Sequence, residues 1–521
     1  MVQYLDKNSG FAQWNANKNN AQKKSGLGGF MWWFLIFVAA WWTVGLFMTP
    51  PPSNTVAPDN TPVVDLSSVP TAEISSNDIT ATVQGLRISN VKLSKFTVSA
   101  TDTTPVSLLS ADGAFAEFGL IANGTTAPTA TTVWKTTDGK FTWRNPDGIT
   151  FTRTISVDGY DIVVSDEIHN TTKRDIAFAP YARIVRANDM TSSAGVSTGA
   201  VALANSDIER ADWRKLDKRS YAYQTTRGFV GFTDQYWGTI VNIDSPDQTM
   251  TIKKAGQLYG ADVAASAIAV PAGTTAKITY NLFSGPLEQD VLNAANSHID
   301  GIDDIIDYGW FGFLARPMLW FLNVLNSLVM NYGLAIILMT LFLRLLMWPL
   351  TRKSYTSMIA MQKMQPELQR IQKLYANDKA RLQMEMLKVY QTHKTSPMSG
   401  CLPMLIQIPI FFALYKALLI SVQMRSAGFL WISDLAVMDP YFILPILMGA
   451  TMWLQQYLQS ASRGKTADKN DITAQTQKMM RWMPILFTIM FAWMPAGLVL
   501  YWTVSNIFGI IQMYIIKHQS K

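Results

Sequence analysis

The stretch Thr340-Leu-Phe-Leu-Arg344-Leu-Leu-Met-Trp-Pro349 places an arginine near the end of a long apolar run that begins around Met318. Inserting an arginine into a membrane helix costs on the order of 3 kcal/mol. Its immediate neighbours are apolar apart from Thr340, so nothing adjacent in sequence neutralises its charge. Arg344 therefore needs water, a partner elsewhere in the chain or a functional role.

The composition indicates a membrane protein with a soluble part. Of the 521 residues, 49% are hydrophobic and only 16% are charged, whereas soluble domains average roughly 25% charged residues. The net charge of +7 is spread around apolar runs, so we expect no nucleic-acid binding. The single Cys401 excludes an intrachain disulfide, and the four scattered histidines predict no metal site. Without a phosphate-binding loop of the Walker type, we expect no cofactor and no enzymatic activity.

The N-terminal part predicts a membrane anchor. Residues 1–29 are polar and contain four lysines, and the uncharged run 30–48 that follows is long enough to cross a hydrocarbon core of about 30 Å. The lysines before this run, with no Lys or Arg between Thr49 and Leu86, favour a cytoplasmic N-terminus. A cleaved signal peptide is the alternative, but no small-residue cleavage site follows.

A large β domain should follow the anchor. Residues 53–75 are rich in Ser, Thr, Pro and Val and indicate a linker, while residues 76–290 contain short alternating runs between turn signals. Asp158-Gly159, for example, separates two alternating segments as in a β-hairpin. Strands spaced about 8–12 residues apart predict one all-β sandwich, which the anchor topology places outside the cytoplasm.

The C-terminal half predicts five more spans, for six transmembrane helices in all. Residues 297–314, with isoleucines at helical spacing and aspartates between them, predict an amphipathic helix on the outer membrane interface. The run 317–350 is longer than one crossing, so its helix must tilt or project from the bilayer. The remaining predicted spans are 401–422, 441–459, 482–495 and 497–516.

The basic loops agree with this topology. The segment 352–397 and the loop 460–480 are basic, while the loops on the other side carry few charges, which places both termini in the cytoplasm. Segment 352–397 predicts a cytoplasmic hairpin of two amphipathic helices. Methionine adapts to varied apolar partners, so the apolar face either binds incoming segments or packs the hairpin shut; its residues are Met358, Met361, Met364, Leu368 and Met386.

Two interpretations of Arg344 follow from the residues alone. Its guanidinium could snorkel to the cytoplasmic head groups. The other spans supply neutral polar groups, including Gln407, Gln455 and Asn506, but no Asp or Glu. Without a counter-ion, the alternative is a hydrated, positively charged cavity that receives an anionic or polar guest.

Four segments give the chain a specific family resemblance. They are Thr340–Thr351, Gly400-Cys-Leu-Pro-Met-Leu-Ile-Gln-Ile-Pro-Ile-Phe-Phe-Ala-Leu-Tyr415, Asp439-Pro-Tyr-Phe-Ile-Leu-Pro-Ile-Leu-Met-Gly449 and Pro495-Ala-Gly-Leu-Val-Leu-Tyr-Trp-Thr-Val-Ser-Asn506. Residues 297–516 thereby resemble the YidC/Oxa/Alb family of membrane protein insertases. The resemblance implies a β-supersandwich and a five-helix insertase core with a groove open to the cytoplasm and to lipid. Arg344 would be the groove arginine, with Thr340 and Trp502 as neighbouring groove positions, although relatives often have tyrosine at the latter.

The resemblance also implies a function. The chain would insert and fold proteins of the bacterial inner membrane, alone or with the Sec translocon, and its partners would be nascent membrane proteins and lipids. Some relatives carry a long basic C-terminal tail that helps them dock ribosomes, whereas this chain stops at Lys517-His-Gln-Ser-Lys521. Any ribosome contact would then rest on the cytoplasmic loops. The alternatives are a transporter or channel whose arginine binds a small anion, and a periplasmic carbohydrate enzyme on a membrane stalk.

Overall fold

The computed structural model describes residues 64–111, 113–137, 139–188, 196, 198–393, 402–460 and 482–519. The chain divides into two compact units, one of 57–463 with 484–521 and one of 1–56 with 464–483. Apart from Trp482 and Met483, everything described below belongs to the first unit. The predicted N-terminal segment 1–29, the anchor 30–48 and nearly all of the loop 460–480 lie outside the described residues.

The predicted all-β sandwich is confirmed by two antiparallel sheets, but its first strand lies within the segment 53–75 predicted as a linker. The first sheet contains ten strands in the described chain: β1 Thr71–Ser75, β2 Ile79–Gln84, β3 Arg87–Ser99, β4 Asp102–Leu108, β5 Phe115–Ala122, β10 Ile176–Arg186, β13 Tyr221–Thr225, β16 Gln248–Ala255, β17 Leu258–Ala265 and β18 Ile268–Val270. The second contains nine described strands: β6 Lys135–Thr137, β7 Lys140–Arg144, β8 Thr150–Asp158, β9 Asp161–His169, β11 Gly199–Ala204, β12 Asp207–Asp212, β14 Phe229–Thr233, β15 Trp237–Ile243 and β19 Thr275–Pro286.

The hairpin of β8 and β9 shows how the sequence pattern produces the sandwich. Asp158 pairs with Asp161 across a two-residue turn, and Gly159 supplies the positive φ of 56° that such a turn requires. Alternate side chains of β9 then face the core, so Ile168 is buried between the exposed Glu167 and His169. His169 lies within hydrogen-bonding distance of Thr275 on β19 (2.9 Å). This is the arrangement of a polar strand face.

A buried ion pair joins the two sheets through the core. Arg153 on β8 donates to both carboxylate oxygens of Asp166 on β9, each at 2.8 Å, and both side chains are almost fully buried. The same guanidinium donates to the carbonyl oxygen of Phe118, on β5 of the opposite sheet, at 2.8 Å. A buried charge needs such complete pairing to offset its desolvation. The pair therefore links the two sheets through their shared core.

The helix predicted over 297–314 is wrong. Its four isoleucines, Ile299, Ile302, Ile305 and Ile306, are buried in the core that extends from the β domain. The backbone there forms a short 3₁₀ turn at Ile302–Asp304, and Gly301 and Gly309 take φ of 78° and 68°. Positive φ interrupts a helix. The isoleucine spacing reflected burial against the β domain instead of an amphipathic helix.

Ten α-helices occur in the described chain. Two belong to the β-domain region, α1 Trp213–Leu216 and α2 Gln289–Ala295. The others form the helical part: α3 Gly312–Val329, α4 Tyr332–Leu346, α5 Trp348–Leu374, α6 Lys379–Thr392, α7 Leu402–Ile420, α8 Ile443–Ser460, α9 Met483–Phe491 and α10 Ala496–Gln519. Helices α5 and α6 occupy the segment predicted as the 352–397 hairpin.

The single long helix predicted over 317–350 is also wrong. It is broken at Met330, whose φ is 53°, and Asn331 caps the next helix by accepting a hydrogen bond from the Leu334 N–H at 3.0 Å. A second bend of 62° follows Leu346, where Pro349 lies in the first turn of α5. The excess length of the run is accommodated by α3, which folds back to place Phe321 against Phe342 of α4 at a ring-centroid distance of 4.8 Å.

Length and composition identify α10 as a helix that could cross a membrane among the described residues. The bent pair Tyr332–Leu346 and Trp348–Met361 could supply a second crossing, and Leu405–Ile420 is a shorter apolar helix. The count of six spans stays a prediction, because 30–48 lies outside the described chain.

The first prediction concerns Asp161 at the start of β9. Burial raises its pKa to about 6, while His298 lowers it and Asp158 raises it further; its Oδ1 has no hydrogen-bond partner among the described residues. The native state therefore holds the Asp161 proton more tightly than the unfolded chain does. The protonated carboxyl contributes fully to the stability of the native state below about pH 4, and this contribution is lost as the pH rises through about 6.

Asp161→Asn should therefore stabilise strand β9 at pH 7 by on the order of 2 kcal/mol and reduce the loss of stability between pH 4 and 6. Hydrogen exchange of β9 amides, measured by mass spectrometry on the full chain across this pH range, gives both quantities. Glu167→Gln, which neutralises an exposed carboxylate on the same strand, is the matched control. If β9 hydrogen exchange depended on pH equally in Asp161→Asn and in the unmodified chain, Asp161 would not be the group that titrates with a raised pKa.

Candidate functional site

Arg344 lies in the last turn of α4 and is held by α10. Its Nε and Nη2 both donate to the hydroxyl oxygen of Ser505, at 2.9 and 2.5 Å, and its side chain is half-buried. The side-chain amide of Gln512 donates to the backbone carbonyl oxygen of Arg344 at 3.2 Å. Carbonyls in the last helical turn lack intrahelical partners, so Gln512 satisfies one of them. Helix α10 thus fixes both the backbone and the side chain of Arg344.

Small residues on α10 allow this close approach. A Cβ atom at Gly509 would lie 3.0 Å from Nε2 of Gln455 and 3.8 Å from Nη1 of Arg344. Ser505 and Gly509 are one turn apart on the same face, the small-xxx-small spacing that lets membrane helices pack closely. The missing side chain at Gly509 therefore leaves the room in which Arg344 on α4 and Gln455 on α8 come together.

Neutral polar groups continue along the same side of α10. The amide of Gln407 on α7 donates to the hydroxyl of Tyr501 at 2.6 Å, and Tyr501 is almost fully buried one turn before Ser505. Gln455 donates to the hydroxyl of Tyr355 on α5, a long contact at 3.4 Å. The site therefore collects polar side chains from five helices, α4, α5, α7, α8 and α10.

The charge of Arg344 is not balanced by a carboxylate on these membrane helices. Helices α4, α7, α8, α9 and α10 contain no Asp or Glu in their sequences. In the described part of the chain, the guanidinium donates its hydrogen bonds to a hydroxyl group. A charged group held by neutral dipoles keeps its attraction for an anion. The arrangement can thus bind a negatively charged or strongly polar segment that approaches the guanidinium.

The other sequence-predicted groove residues have separate surroundings. Thr340 is fully buried, and its hydroxyl donates to the carbonyl oxygen of Ile336 in its own helix at 2.6 Å. Asn506 is buried against α8, where it donates to the Met448 carbonyl and to Thr451, each at 3.4 Å. The polar groups of Thr340 and Asn506 are thus bonded within or between packed helices.

Trp502 belongs to an aromatic cluster. Its ring centroid lies 5.3 Å from that of Phe411, 5.2 Å from Phe491 and 6.1 Å from Phe487. The structure therefore brings Gln455 and Arg344 together at Gly509 and places Trp502 among the apolar contacts of α7 and α9. Reasoning from sequence missed Tyr501, Ser505 and Gly509 as members of the site. Their four-residue spacing was the signal that could have identified them.

The apolar face of the α5–α6 hairpin is largely occupied within the structure. Met364 is buried, and Met358, Met361, Leu368 and Met386 are half-buried. Glu367 on α5 also lies 3.3 Å from His393, which follows α6. Larger exposed apolar side chains occur elsewhere on the hairpin, at Leu374, Met384 and Leu387. Packing explains much of the methionine pattern, and binding of incoming segments by these five residues stays a prediction.

Both the β domain and the helical part of the chain match models of known protein families. Residues 71–321 match the family model described as the YidC periplasmic domain, and residues 324–521 match the 60Kd inner membrane protein model. The membrane protein insertase YidC of Magnetococcus marinus is 36% identical over 411 residues, covering 75% of this chain and 72% of the relative.

The chain belongs to the YidC family of membrane protein insertases. Its relatives in Mannheimia succiniciproducens and Mesorhizobium japonicum are 38% and 33% identical, over 71% and 83% of this chain and 68% and 78% of their own lengths. Family membership places the β domain in the periplasm and the helical part in the bacterial inner membrane. A crystal structure of an active YidC insertase gives a TM-score of 0.37 at 18% identity, covering 86% of this chain and 95% of that one, which supports no further conclusion.

The site makes a prediction about Ser505. Ser505→Ala removes the hydroxyl that accepts from Arg344, and a hydrogen bond to a charged group contributes roughly 1.5–3 kcal/mol. Unfolding of the full chain in mixed micelles should show a loss of about 2 kcal/mol. Thr503→Val is the matched control, because in the described chain the Thr503 hydroxyl donates to the Val499 carbonyl oxygen of its own helix at 2.8 Å. A loss no larger than that of Thr503→Val would show that Arg344 does not depend on Ser505.

Proposed function

We propose that this chain inserts and folds proteins of the inner membrane, and that the Arg344 site receives the polar part of each client. One observation carries the proposal: a half-buried arginine is held by a hydroxyl group, and the helices α4, α7, α8, α9 and α10 contain no carboxylate. Its family relatives carry the name membrane protein insertase. A client's acidic or polar flank is the guest that such a charge would attract.

The client's own burial supplies the driving force. An apolar segment of about 20 residues gains free energy by entering the hydrocarbon. The obstacle is the polar flank that must cross with it. A positively charged, polar site within the membrane shortens the distance that this flank travels through lipid. The site would thereby lower a barrier without nucleotide hydrolysis or any cofactor.

Exposed apolar faces beside the site provide a route into lipid. Leu345 and Leu346, next to Arg344 on α4, are 58% and 66% exposed, and Trp453 on α8 is 51% exposed close to Gln455. In a membrane these side chains would contact lipid or an incoming apolar segment. We infer that the client segment moves along α4 and α8 while its polar flank stays near Arg344.

The remaining assignments follow from this mechanism and from the charge pattern. Both termini, the α5–α6 hairpin and the loop after α8 would lie in the cytoplasm. The hairpin would capture or gate arriving segments, and any ribosome contact would use these loops. Nascent membrane proteins and lipids would be direct partners, and the Sec translocon a partner for larger clients. A transporter of small anions is the alternative use of the same arginine.

Substitution of Arg344 tests the electrostatic part of the mechanism. Arg344→Ala should lower insertion of a single-span client with an acidic flank about tenfold in reconstituted vesicles, and Arg344→Lys should retain much of it because the charge remains. A client with a neutral flank should be affected far less. Arg352→Ala, which removes an exposed arginine from α5, is the matched control. Equal insertion of the acidic client by all variants would overturn the role of the charge.

Site-specific photocrosslinking tests the client's route. A crosslinker at Gln455 or Leu346 should capture a stalled nascent membrane protein, because both positions flank Arg344 and are at least partly exposed. The same crosslinker at the fully buried Thr340 is the internal control and should capture none. Capture of lipid alone at Gln455 and Leu346 would favour the anion transporter.

A further inference from the structure

A polar pocket lies where the β domain meets the start of α3, away from the Arg344 site. Its volume is about 400 Å³, and its lining includes Arg210, Asp304, Asp307, Tyr308, Phe313 and Arg316. This volume is in the range typical of sites for small ligands. Arg210 comes from β12 of the periplasmic domain and Arg316 from the second turn of α3, so the pocket exists only where the two parts meet.

Neither arginine has its charge fully compensated. Arg316 Nη2 lies 3.2 Å from Asp304 Oδ1, but the two side chains are 53% and 66% exposed, and exposed ion pairs are weak. Arg210 donates to the backbone carbonyl oxygen of Ile305 at 3.0 Å. Burial lowers the pKa of Arg210, against the opposing effect of Asp307 and Asp304. An arginine offers five N–H donors, so both guanidinium groups have capacity for an anionic ligand.

The second carboxylate of the pocket is committed to a lysine. Asp307 Oδ2 lies 3.1 Å from Lys416 Nζ on α7. The pKa of Asp307 is lowered. Burial alone would raise this pKa, but Lys416, the Gly309 N–H and Arg210 stabilise the ionised carboxylate more strongly. The lining itself contains two arginines and two carboxylates. Lys416, which is not part of the lining, pairs with Asp307, so that carboxylate is shared with a third cationic side chain.

The pocket opens beside an exposed apolar surface at the periplasmic end of the membrane helices. Lys416 lies one turn before the end of α7 at Ile420, and the Leu419 carbonyl accepts from the β-domain residue Gln235 at 2.9 Å. Trp310, Phe313 and Trp320 are 96%, 73% and 66% exposed. Aromatic side chains concentrate at membrane–water interfaces. A polar cavity thus adjoins an apolar strip at head-group level.

We propose that this pocket binds the phosphodiester head group of a phospholipid from the periplasmic leaflet. Its phosphate would lie between Arg316 and Arg210, because guanidinium forks match phosphate oxygens. An acyl chain would extend along Phe313 and Trp320 of α3. The proposal concerns lipid recognition by the full chain and does not depend on the Arg344 mechanism.

The test is a lipid titration of the full chain in detergent, followed by native mass spectrometry. Phosphatidylglycerol should bind saturably, and Arg316→Gln and Arg210→Gln should each weaken it about tenfold, the effect of one hydrogen bond to a charged group. The phosphatidylglycerol affinity of Arg316→Lys should lie between those of the unmodified chain and Arg316→Gln. Arg174→Gln is the matched control, because Arg174 is an exposed arginine on a distant loop of the same domain, and it should change nothing.

A change in the opposite direction separates binding from misfolding. Asp304→Asn removes the carboxylate that competes for Arg316 and should tighten phosphatidylglycerol binding several-fold, which a damaged fold would not do. Two further ligands identify the source of the phosphate group. Inorganic phosphate should fail to compete at the concentrations at which the lipid binds, and diacylglycerol, which lacks the phosphate, should bind far more weakly than phosphatidylglycerol.

Three outcomes would overturn the proposal. One is equal phosphatidylglycerol affinity in Arg316→Gln, Arg210→Gln and the unmodified chain. Another is competition by inorganic phosphate as strong as that by the lipid, which would make the pocket a site for free anions. The third is diacylglycerol binding as tight as phosphatidylglycerol binding, which would leave the arginines without a role. Because lipid binding is measured without a client, a failure here leaves the insertion experiments unaffected.

Discussion

The contact between Arg344 on α4 and Ser505 on α10 joins two helices of the helical part through a charged group. A guanidinium within a membrane must be solvated by something, and here one hydroxyl accepts from two of its nitrogen atoms. That contact requires α10 to present small residues, and Ser505 and Gly509 provide them on one face. Nearby, Gln407 donates to Tyr501 of α10, Gln455 to Tyr355 of α5, and Gln512 of α10 to the Arg344 carbonyl oxygen. The need to solvate the charge of Arg344 is consistent with polar groups from separate helices lying close together around it.

The periplasmic domain is attached to the membrane helices by specific contacts and not by the linker alone. Gln423, just after α7, donates to Glu288 before α2 at 3.2 Å and accepts from Tyr332 at the start of α4 at 2.5 Å. Arg425 donates to the carbonyl oxygens of Thr97 and Val98 on β3. Burial raises the pKa of Glu288, although the bond from Gln423 opposes it. These contacts connect the β domain to the first turn of the helix that carries Arg344.

The structure could be predicted from the sequence wherever one physical constraint dominated. Alternation and an Asp-Gly turn predicted the β8–β9 hairpin, because a half-buried strand and a two-residue turn leave few alternatives. The lack of carboxylates in the apolar runs identified Arg344 before any contact was known. Prediction failed where tertiary packing decided the outcome: the isoleucines of 299–306 showed helical spacing but were buried by the β domain, and Asn331 gave no signal of a break within an apolar run. Tyr501 and Ser505 were missed because their roles depend on which face of α10 meets α4.

The bend between α4 and α5 has a mechanical consequence. Arg344 lies three residues before Met347, where the chain turns by 62° into the first helix of the hairpin. Helix α5, Trp348–Leu374, extends from this bend as the first arm of the hairpin. A modest swing of the hairpin tip would become a small rotation of the last turn of α4, which bears the guanidinium. Movement of the hairpin tip and the orientation of the half-buried guanidinium would then be coupled across the bend at Met347.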